Sequence, residues 1–406
     1  MSTEELTQPE FPVTTEPTPP ESTAQPPITS APEPPAKPAP TPETAPESLP
    51  QPTSSYIIAG IDLGTNTSCI QAVDASTGNE ICNQVVPTIV GYAESGILAG
   101  ILPDNSAELY GEEALANELH LRISRPIKNG VIDDLEAAAK FAGHLRELID
   151  PSGKATIHAI IGVPSNTAAD AKENVQKAVS GIFDAAIILP EPFLAANGFR
   201  DESRLNEPGY MDPVKNSLFI DIGAGTTDYC IIQGYFPSPE DQLSISVAGD
   251  DVDNHLENGL AETYPDTRIS SNKIREYKEK YSYVGEPQYG MKVRVPVAGK
   301  PRTIDVGKQV GEACNMLLDE VFESLEKVIP MARPDSVFEM LQNIILTGGG
   351  SMIKNMPEEL QRLLLESGYE NPRVHVAGED FKVFVANGAL KVAQAVKPEQ
   401  WANSKV

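Results

Sequence analysis

The sequence predicts an α/β fold of two related halves, each a mixed sheet flanked by helices, with a site between them. Three observations carry this prediction. A short apolar run followed by an Asp-, Gly- and Thr-rich loop occurs twice, as DLGTNTS at 62–68 and DIGAGTTD at 221–228. Between those loops, apolar runs ending at Pro alternate with a helical stretch. A further apolar run, NIILT, leads into three consecutive glycines, Gly348, Gly349 and Gly350. The repeated loop suggests duplicated halves, although no extended identity links them.

The chain opens as a different polymer. Residues 1–55 hold 16 of the 36 prolines, eight Glu, one Lys and no Gly or Cys. That composition buries too little apolar surface to offset ordering entropy, so it predicts a disordered, partly extended acidic tail. The stretch at 23–40 has the extended habit that aromatic grooves recognise, and it serves equally well as a solvated leader. At Tyr56 the character changes. The run Tyr56–Ile61, the loop at 62–68 and CIQAV at 69–73 read as strand, tight turn and strand, and 218–232 repeats the pattern. IHAIIGVP (157–164) and AAIILP (185–190) read as buried strands. Ala168–Val179 between them reads as a helix, with Thr167 as its cap. Val306–Ile329 has helical spacing, NIILTGGGSM (343–352) returns to strand and glycine turn, and Met356–Glu366 and Val385–Ala395 read as closing helices. Pro398 is expected to stop the fold, with no further domain. The expected domains are the tail at 1–55, a first half at 56–190 with a small subdomain at about 85–125, and a second half at 191–406. The helix at about 384–396 is expected to return to the first half.

Charge and cysteine usage remove several classes. Lys and Arg number 31 against 58 Asp and Glu, a net charge of −27, which disfavours generic phosphate-backbone binding, so no nucleic-acid partner is expected. No apolar stretch approaches the roughly 20 residues of a membrane span. Cys69, Cys82, Cys230 and Cys314 show no CxxC spacing, so neither a zinc site nor a disulfide framework is suggested. A soluble, reducing, cytoplasmic setting is expected.

The loops carry the chemistry. Gly64 permits a bend that brings backbone amides toward an oxyanion, and Thr65, Asn66 and Thr67 add neutral donors. Asp62 at the strand end suits a Mg²⁺ ion held through water. The second loop repeats the kit with Asp221, Gly223, Ala224, Gly225, Thr226 and Thr227. Two such hairpins face to face would clamp a polyphosphate, each bringing one carboxylate to the metal. Either loop alone is most often an ordinary Asp-Gly turn; two of them plus a triple glycine make that reading poor. Glycines 348–350, with Ser351 and Met352, let a flat ring approach the backbone without a Cβ in the way. Asp228 closes the second loop and reads as a structural cap or a support for Thr226. No P-loop and no G-x-G-x-x-G fingerprint occurs.

The order of DLGTNTS, DIGAGTTD and LTGGGSM resembles the two phosphate motifs and the adenosine motif of the actin, Hsp70 and sugar-kinase ATPase superfamily, over essentially all of 56–396. VVPTIVGY (85–92) and RPIKNGVIDD (125–134) are similar to segments of actin and MreB, and IREYKEKYSYVG (274–285) to an actin segment that lines the adenine and ribose pocket, so the chain resembles the bacterial actin-like filament proteins of the MreB, ParM and MamK kinds. GYFPSPEDQLSISVAGDDVDNHL (234–256), YSYVGEP (281–287), IGVP (161–164) and EPF (191–193) resemble the magnetosome-organising MamK group most. The resemblance implies the actin-like fold of two ribonuclease-H-like halves with ATP and Mg²⁺ in the cleft. Lys278 and Glu279 would face the nucleoside, and Glu191 would position the attacking water. Without the resemblance, Glu191 reads as a strand-end residue held by Pro192. Actins carry a Lys in the first loop where Cys69 stands here, which leaves phosphate charge to the metal, amides and hydroxyls. Nothing in the family match accounts for the tail.

The implied function is a cytoskeletal ATPase that assembles head to tail into filaments and aligns intracellular structures, magnetosomes by resemblance. Its implied partners are copies of itself and acidic or adaptor proteins at membranes or magnetosomes. A non-polymerising adaptor of the FtsA or PilM type is the alternative. An Hsp70-like chaperone would add a peptide-binding module, and a sugar kinase would need a substrate-facing Asp base that is not identifiable.

Overall fold

A computed structural model describes residues 55–405, so the expectations for the Pro-rich tail fall outside the described residues. The apolar run at the start of the core forms β1 (Tyr56–Leu63), which turns through the first loop into β2 (Thr67–Asp74) and on to β3 (Glu80–Pro87). A small sheet follows from β4 (Val90–Ala93), β5 (Glu108–Tyr110) and, after α1 (Gly111–Ala116), β6 (Leu121–Ser124). It closes over its own cluster of Ile89, Leu102, Leu109, Ala114 and Leu121. The hairpin β7 (Ile127–Lys128) and β8 (Val131–Ile132) leads to α2 (Leu135–Ile149), whose Asp134 cap accepts the Ala137 amide at 3.0 Å. Next come β9 (Thr156–Val163), α3 (Ala169–Val179) and β10 (Ala185–Pro190). The first large sheet has the order β10-β9-β1-β2-β3.

Helix α4 (Glu191–Phe199) leads to the second large sheet, which opens with the meander β11 (Ser217–Ile222), β12 (Thr227–Ile232) and β13 (Gln242–Ile245). Helices α5 (Gly249–Thr263) and α6 (Ser271–Tyr281), the hairpin β14 (Lys292–Val297) and β15 (Lys300–Asp305), α7 (Gly307–Val328) and α8 (Val337–Leu341) follow. The chain then adds β16 (Ile344–Thr347), α9 (Met356–Glu366), β17 (Val374–Val376), α10 (Phe381–Ala395) and α11 (Pro398–Ala402). The second large sheet has the order β13-β12-β11-β16-β17. The two large sheets share one plan. A central strand, β1 or β11, has an antiparallel meander on one side and two parallel strands on the other. The central strands are continuous apolar runs because helices cover both their faces. Both loops noted in the sequence sit at the same end of these central strands.

Each half has its own core, and a third cluster joins them. Ile58, Ile160, Leu194, Phe219, Ile345, Val385, Ala389 and Trp401 pack along the seam where α4 and α10 cross. The crossing is close because Gly198 and Gly388 meet there. A Cβ on Gly388 would stand 2.7 Å from the Leu194 carbonyl carbon and 2.8 Å from the Gly198 amide nitrogen. Gly60 gives α10 the same access to β1, with an added Cβ 3.0 Å from the Ala389 carbonyl carbon.

Three expectations need correction. Thr167 does not cap α3: the helix begins after Ala168, with no side-chain cap bond, and the Thr167 hydroxyl donates to the Pro164 carbonyl. Helix α10 starts at Phe381, a turn before Val385: Phe381 and Phe384 stand at i and i+3 with Val385 at i+4, which extends the apolar period one turn toward the N-terminus. Pro398 does not end the fold. It occupies the first turn of α11, where its missing N–H costs nothing, and Trp401 in that helix is 4% exposed. The Ser404 carbonyl then accepts the Ala186 amide at 2.9 Å, on the edge strand β10.

Candidate functional site

The ends of β1 and β11 open into a cleft of about 870 Å³ between the two sheets. The first loop contributes Asp62, Gly64, Thr65, Asn66 and Thr67 to its wall, and the second contributes Asp221, Gly223, Ala224, Gly225 and Thr226. Strand β16 ends there in Gly348, Gly349 and Gly350, with Met352 just beyond. Lys278 and Glu279 reach it from α6, and Glu191 from the first turn of α4. The structure therefore brings together all the residues singled out in the sequence except two. Thr227 is fully buried with its hydroxyl donated to the Val247 carbonyl at 2.8 Å, and the Ser351 hydroxyl donates to the Gly348 carbonyl at 2.7 Å. Both hydroxyls complete the loops from behind and line no part of the cleft.

The loops are built to leave donors free. The carbonyls of Gly223 and Ala224 accept the amides of Gly249 and Asp250 at the start of α5, at 3.1 and 2.8 Å. The Gly223 amide is used within the turn, on the Thr226 carbonyl at 2.9 Å. Thr65, Asn66, Ala224 and Gly225 lie outside the strands, and their amides have no acceptor among the described residues. Unpaired backbone donors at a cleft wall suit an oxyanion. The two loops also touch: a Cβ on Gly225 would lie 2.8 Å from both the Asn129 Cα and the Thr65 hydroxyl oxygen.

Three carboxylates face this row of donors. Asp62, Asp221 and Glu191 make no hydrogen bond or ion pair with the described residues. Burial pushes Asp62 up to about 7. Burial first, then the charges of Asp62 and Asp228, hold Asp221 well above the usual carboxylate range. Glu191 is raised in the same way, by burial and then by Asp62, Asp228 and Asp221. Gly162 on β9 makes room for it, since a Cβ there would stand 3.1 Å from the Glu191 Cγ. Repelling acids with free lone pairs fit a cation. No group of three His, Cys, Asp or Glu among the described residues is close enough to hold a metal directly, so water would have to complete the shell. Cys69 does not line the cleft. It lies 2% exposed on β2 opposite Asp62, with burial pushing its thiol up to about 12.

Cations also line the wall, beside the second loop where α5 begins. Lys278 donates to the Gly249 carbonyl at 2.7 Å and pairs with Asp253 at 2.8 Å, which draws its ammonium toward α5. Arg275 lies 3.6 Å from Asp250 and 3.5 Å from Asp253. Arg125, held below its usual range by burial and then by Arg275, also lines the wall, as do Phe381 and Lys382 at the start of α10. Arg125 and Arg275 lie within the quoted segments RPIKNGVIDD and IREYKEKYSYVG, so the signal was present but was not resolved to single side chains. Phe381 and Lys382 had no local signal. Asn66 donates to Asp250 across the cleft at 3.4 Å, and Asn272 at the start of α6 donates to Glu118 at 3.1 Å. Of the two readings of Asp228, the support for Thr226 is the one met, with the Thr226 hydroxyl beside its carboxylate. Its carboxylate accepts the amide of Ser165, in the other half, at 2.7 Å.

Comparison with known proteins agrees with this arrangement. The MreB/Mbl protein family matches residues 57–400. The chain is 31% identical over 350 residues to the actin-like protein MamK of Paramagnetospirillum magneticum, covering 85% of this chain and 94% of that one. It is 27% identical over 265 residues to the cell shape-determining protein Mbl of Bacillus subtilis, covering 62% and 76%. Among solved structures, the MamK double helical filament superposes with a TM-score of 0.74 at 29% identity, covering 84% of this chain and all of that one. A non-polymerising MamK mutant bound to AMPPNP gives 0.59 at the same identity and the same share of this chain. The chain belongs to the MreB/Mbl family of actin-like proteins.

Proposed function

We propose that this protein binds ATP with Mg²⁺ in the cleft, hydrolyses it, and assembles head to tail into cytoskeletal filaments. The observation that carries the reading is the meeting of free loop amides with the unpaired carboxylates of Asp62, Asp221 and Glu191 at one end of one cleft. The amides of Thr65, Asn66, Ala224 and Gly225 bind and orient the phosphates. Asp62 and Asp221 hold the cation through waters, and a bound Mg²⁺ supplies charge neutralisation on the phosphoryl oxygens. Glu191 orients the attacking water and accepts its proton at a carboxylate oxygen. Glycines 348–350 form the flat wall for the base, with Lys278, Glu279 and Met352 around the nucleoside. The nucleotide-bound and filamentous MamK structures support both parts of the proposal, the ligand and the assembly.

In this reading residues 56–190 and 191–406 act as two bodies hinged at the α4–α10 seam, so occupancy of the cleft biases their closure. By likeness to MamK, the filaments would organise intracellular structures such as magnetosome chains, with adaptor proteins as further partners. Among the described residues no helix is long and apolar enough to cross a membrane. The test is phosphate release together with pelleting and electron microscopy of the purified chain with ATP and Mg²⁺. Filaments that form with ATP and weaken after hydrolysis are expected. A chain that binds nucleotide and stays monomeric at high concentration would refute the assembly half and favour a non-polymerising adaptor.

A further inference from the structure

The buried carboxylate of Asp228 lies behind the cleft and has no part in the chemistry described so far. It is 1% exposed on β12, with Asp221 opposite it on β11 and Ser244 opposite it on β13. Residues directly opposite on adjacent strands share a face, with Cβ atoms about 5 Å apart. The three side chains therefore form a row across the sheet. Asp221 at one end reaches the cleft, and the hydroxyls of Ser244 and of Thr226 lie beside the Asp228 carboxylate.

The row is tied to the other half of the molecule. One Asp228 oxygen accepts the Ser165 amide at 2.7 Å, in the turn that follows β9. Ser165 is itself 1% exposed, and its own hydroxyl has no partner among the described residues. The same turn is pinned once more, by the Asn166 amide on the Gln242 side chain at 3.3 Å and by the Asn166 side chain on the Gln242 carbonyl. Asn166 adopts a φ of 49°, the left-handed conformation that Asn tolerates better than most residues. Thr226 is confined from the first half as well, since a Cβ on Gly130 would come within 3.1 Å of its methyl group. A buried carboxylate is a costly way to join two bodies that apolar packing already joins along the α4–α10 seam.

We propose that Asp228 is a positioning residue: by holding the Ser165 amide of one half and the Thr226 hydroxyl of the other, it couples closure of the halves to the geometry of the phosphate-facing loop. The inference rests on the reading of the cleft as an ATP-hydrolysing site. When the halves close, the Ser165–Asp228 bond fixes the carboxylate, and the carboxylate fixes the Thr226 side chain on the cleft wall. Asn at this position keeps an oxygen for the Ser165 amide and presents an amide group to the two hydroxyls, which can also accept. Ala keeps neither.

The experiment compares wild type, Asp228→Asn and Asp228→Ala in steady-state ATP hydrolysis, and in amide hydrogen exchange of peptides spanning 163–167. Asp228→Ala should lower kcat by about tenfold to a hundredfold, with KM for ATP within about threefold, because the loop is misplaced while most binding contacts remain. Asp228→Asn should recover most of that loss. The Ser165 amide should exchange slowly in wild type and in the Asn variant, and at least about tenfold faster in the Ala variant. The assignment is overturned if kcat of the Ala variant stays within about twofold of wild type, if Asn rescues no better than Ala, or if KM rises as much as kcat falls. Hydrogen exchange reports without turnover. An inactive wild type would therefore strike at the ATPase reading, and unchanged Ser165 exchange in the Ala variant would strike at Asp228.

Discussion

The seam between the halves gives the sharpest test, because one substitution has opposite signs at two sites. Gly→Ala inside a helix normally stabilises by up to about 1 kcal/mol, since glycine loses more backbone entropy on folding. Gly143 in α2 is the neutral case: an added Cβ there meets nothing within 4 Å. At Gly388 the same methyl would stand 2.7 Å from the Leu194 carbonyl carbon, in backbone that cannot rotate away. Carbon atoms pack at about 3.5–4.0 Å, so α4 and α10 must part by roughly 1 Å. Overpacking of this kind costs about 1–3 kcal/mol. The propensity gain offsets part of it, which leaves a net loss of about 1–2 kcal/mol for Gly388→Ala. Because Glu191 opens α4 and Phe381 opens α10, the displacement also reaches the cleft, and a 1 Å error at a reacting centre can cost about a hundredfold in rate. Thermal unfolding of the two variants beside wild type, with ATP turnover measured on each, decides the matter. Gly143→Ala should melt slightly above wild type with normal turnover, and Gly388→Ala should melt below it with depressed turnover. If Gly388→Ala melts at or above Gly143→Ala, the close-crossing argument is wrong.

Other outcomes follow from the site. Glu191→Gln should lose about a hundredfold or more in phosphate release while its ADP affinity, by calorimetry, stays within about threefold; near-normal turnover would remove Glu191 from its role. Gly349→Val should keep the wild-type melting point, since an added Cβ there meets only Phe381 at 3.9 Å, yet it should weaken nucleotide binding at least about tenfold. Equal affinity would mean the base does not lie on that wall. The net charge of −27 makes subunits repel, so filament yield by pelleting should rise with added salt or divalent cation up to the point where screening saturates, and a yield indifferent to both would contradict this. Finally, burial lowers the pKa of His158, whose Nδ1 faces the Tyr56 hydroxyl at 2.9 Å and whose ring lies 4.9 Å from that of Trp401. A depressed histidine contributes stability above its unfolded pKa near 6.5, and that contribution is lost as pH falls through the folded value. The fluorescence of Trp401, the chain's one tryptophan, should therefore drop in a step below about pH 6.5, and His158→Gln should abolish the step.

What could be read in the sequence was whatever a short window encodes. Strand β10 and helix α9 run over the residues expected, because Pro190 and Gly368 punctuate their ends and their apolar period is unbroken. The two Asp-Gly loops announced themselves by repetition. The seam did not, because Gly198 and Gly388 are ordinary helical glycines until they are brought together across 190 positions of chain. Thr227 and Ser351 were assigned to the cleft for their chemistry. A loop's residue types do not say which hydroxyl turns inward, and here the Val247 and Gly348 carbonyls take both. Arg125 and Lys382 carry no such signal, because a single cation has no period of its own and Lys382 sits within an apolar helical run. Asp228 was read as local for the same reason: its partner, Ser165, is 63 residues away.

The short stretch after α10 has a consequence for handling the protein. Strand β10 is the rim of its sheet, and an uncovered rim is a template for a second chain. The Ser404 carbonyl occupies the Ala186 amide there, while Trp401 fills the apolar space beside it. Trimming the chain at Val396, or fusing a tag directly to it, would strip that shield and open an unprogrammed pairing surface. Filaments and amorphous precipitate would then compete in the same tube, and a pelleting assay alone could not tell them apart.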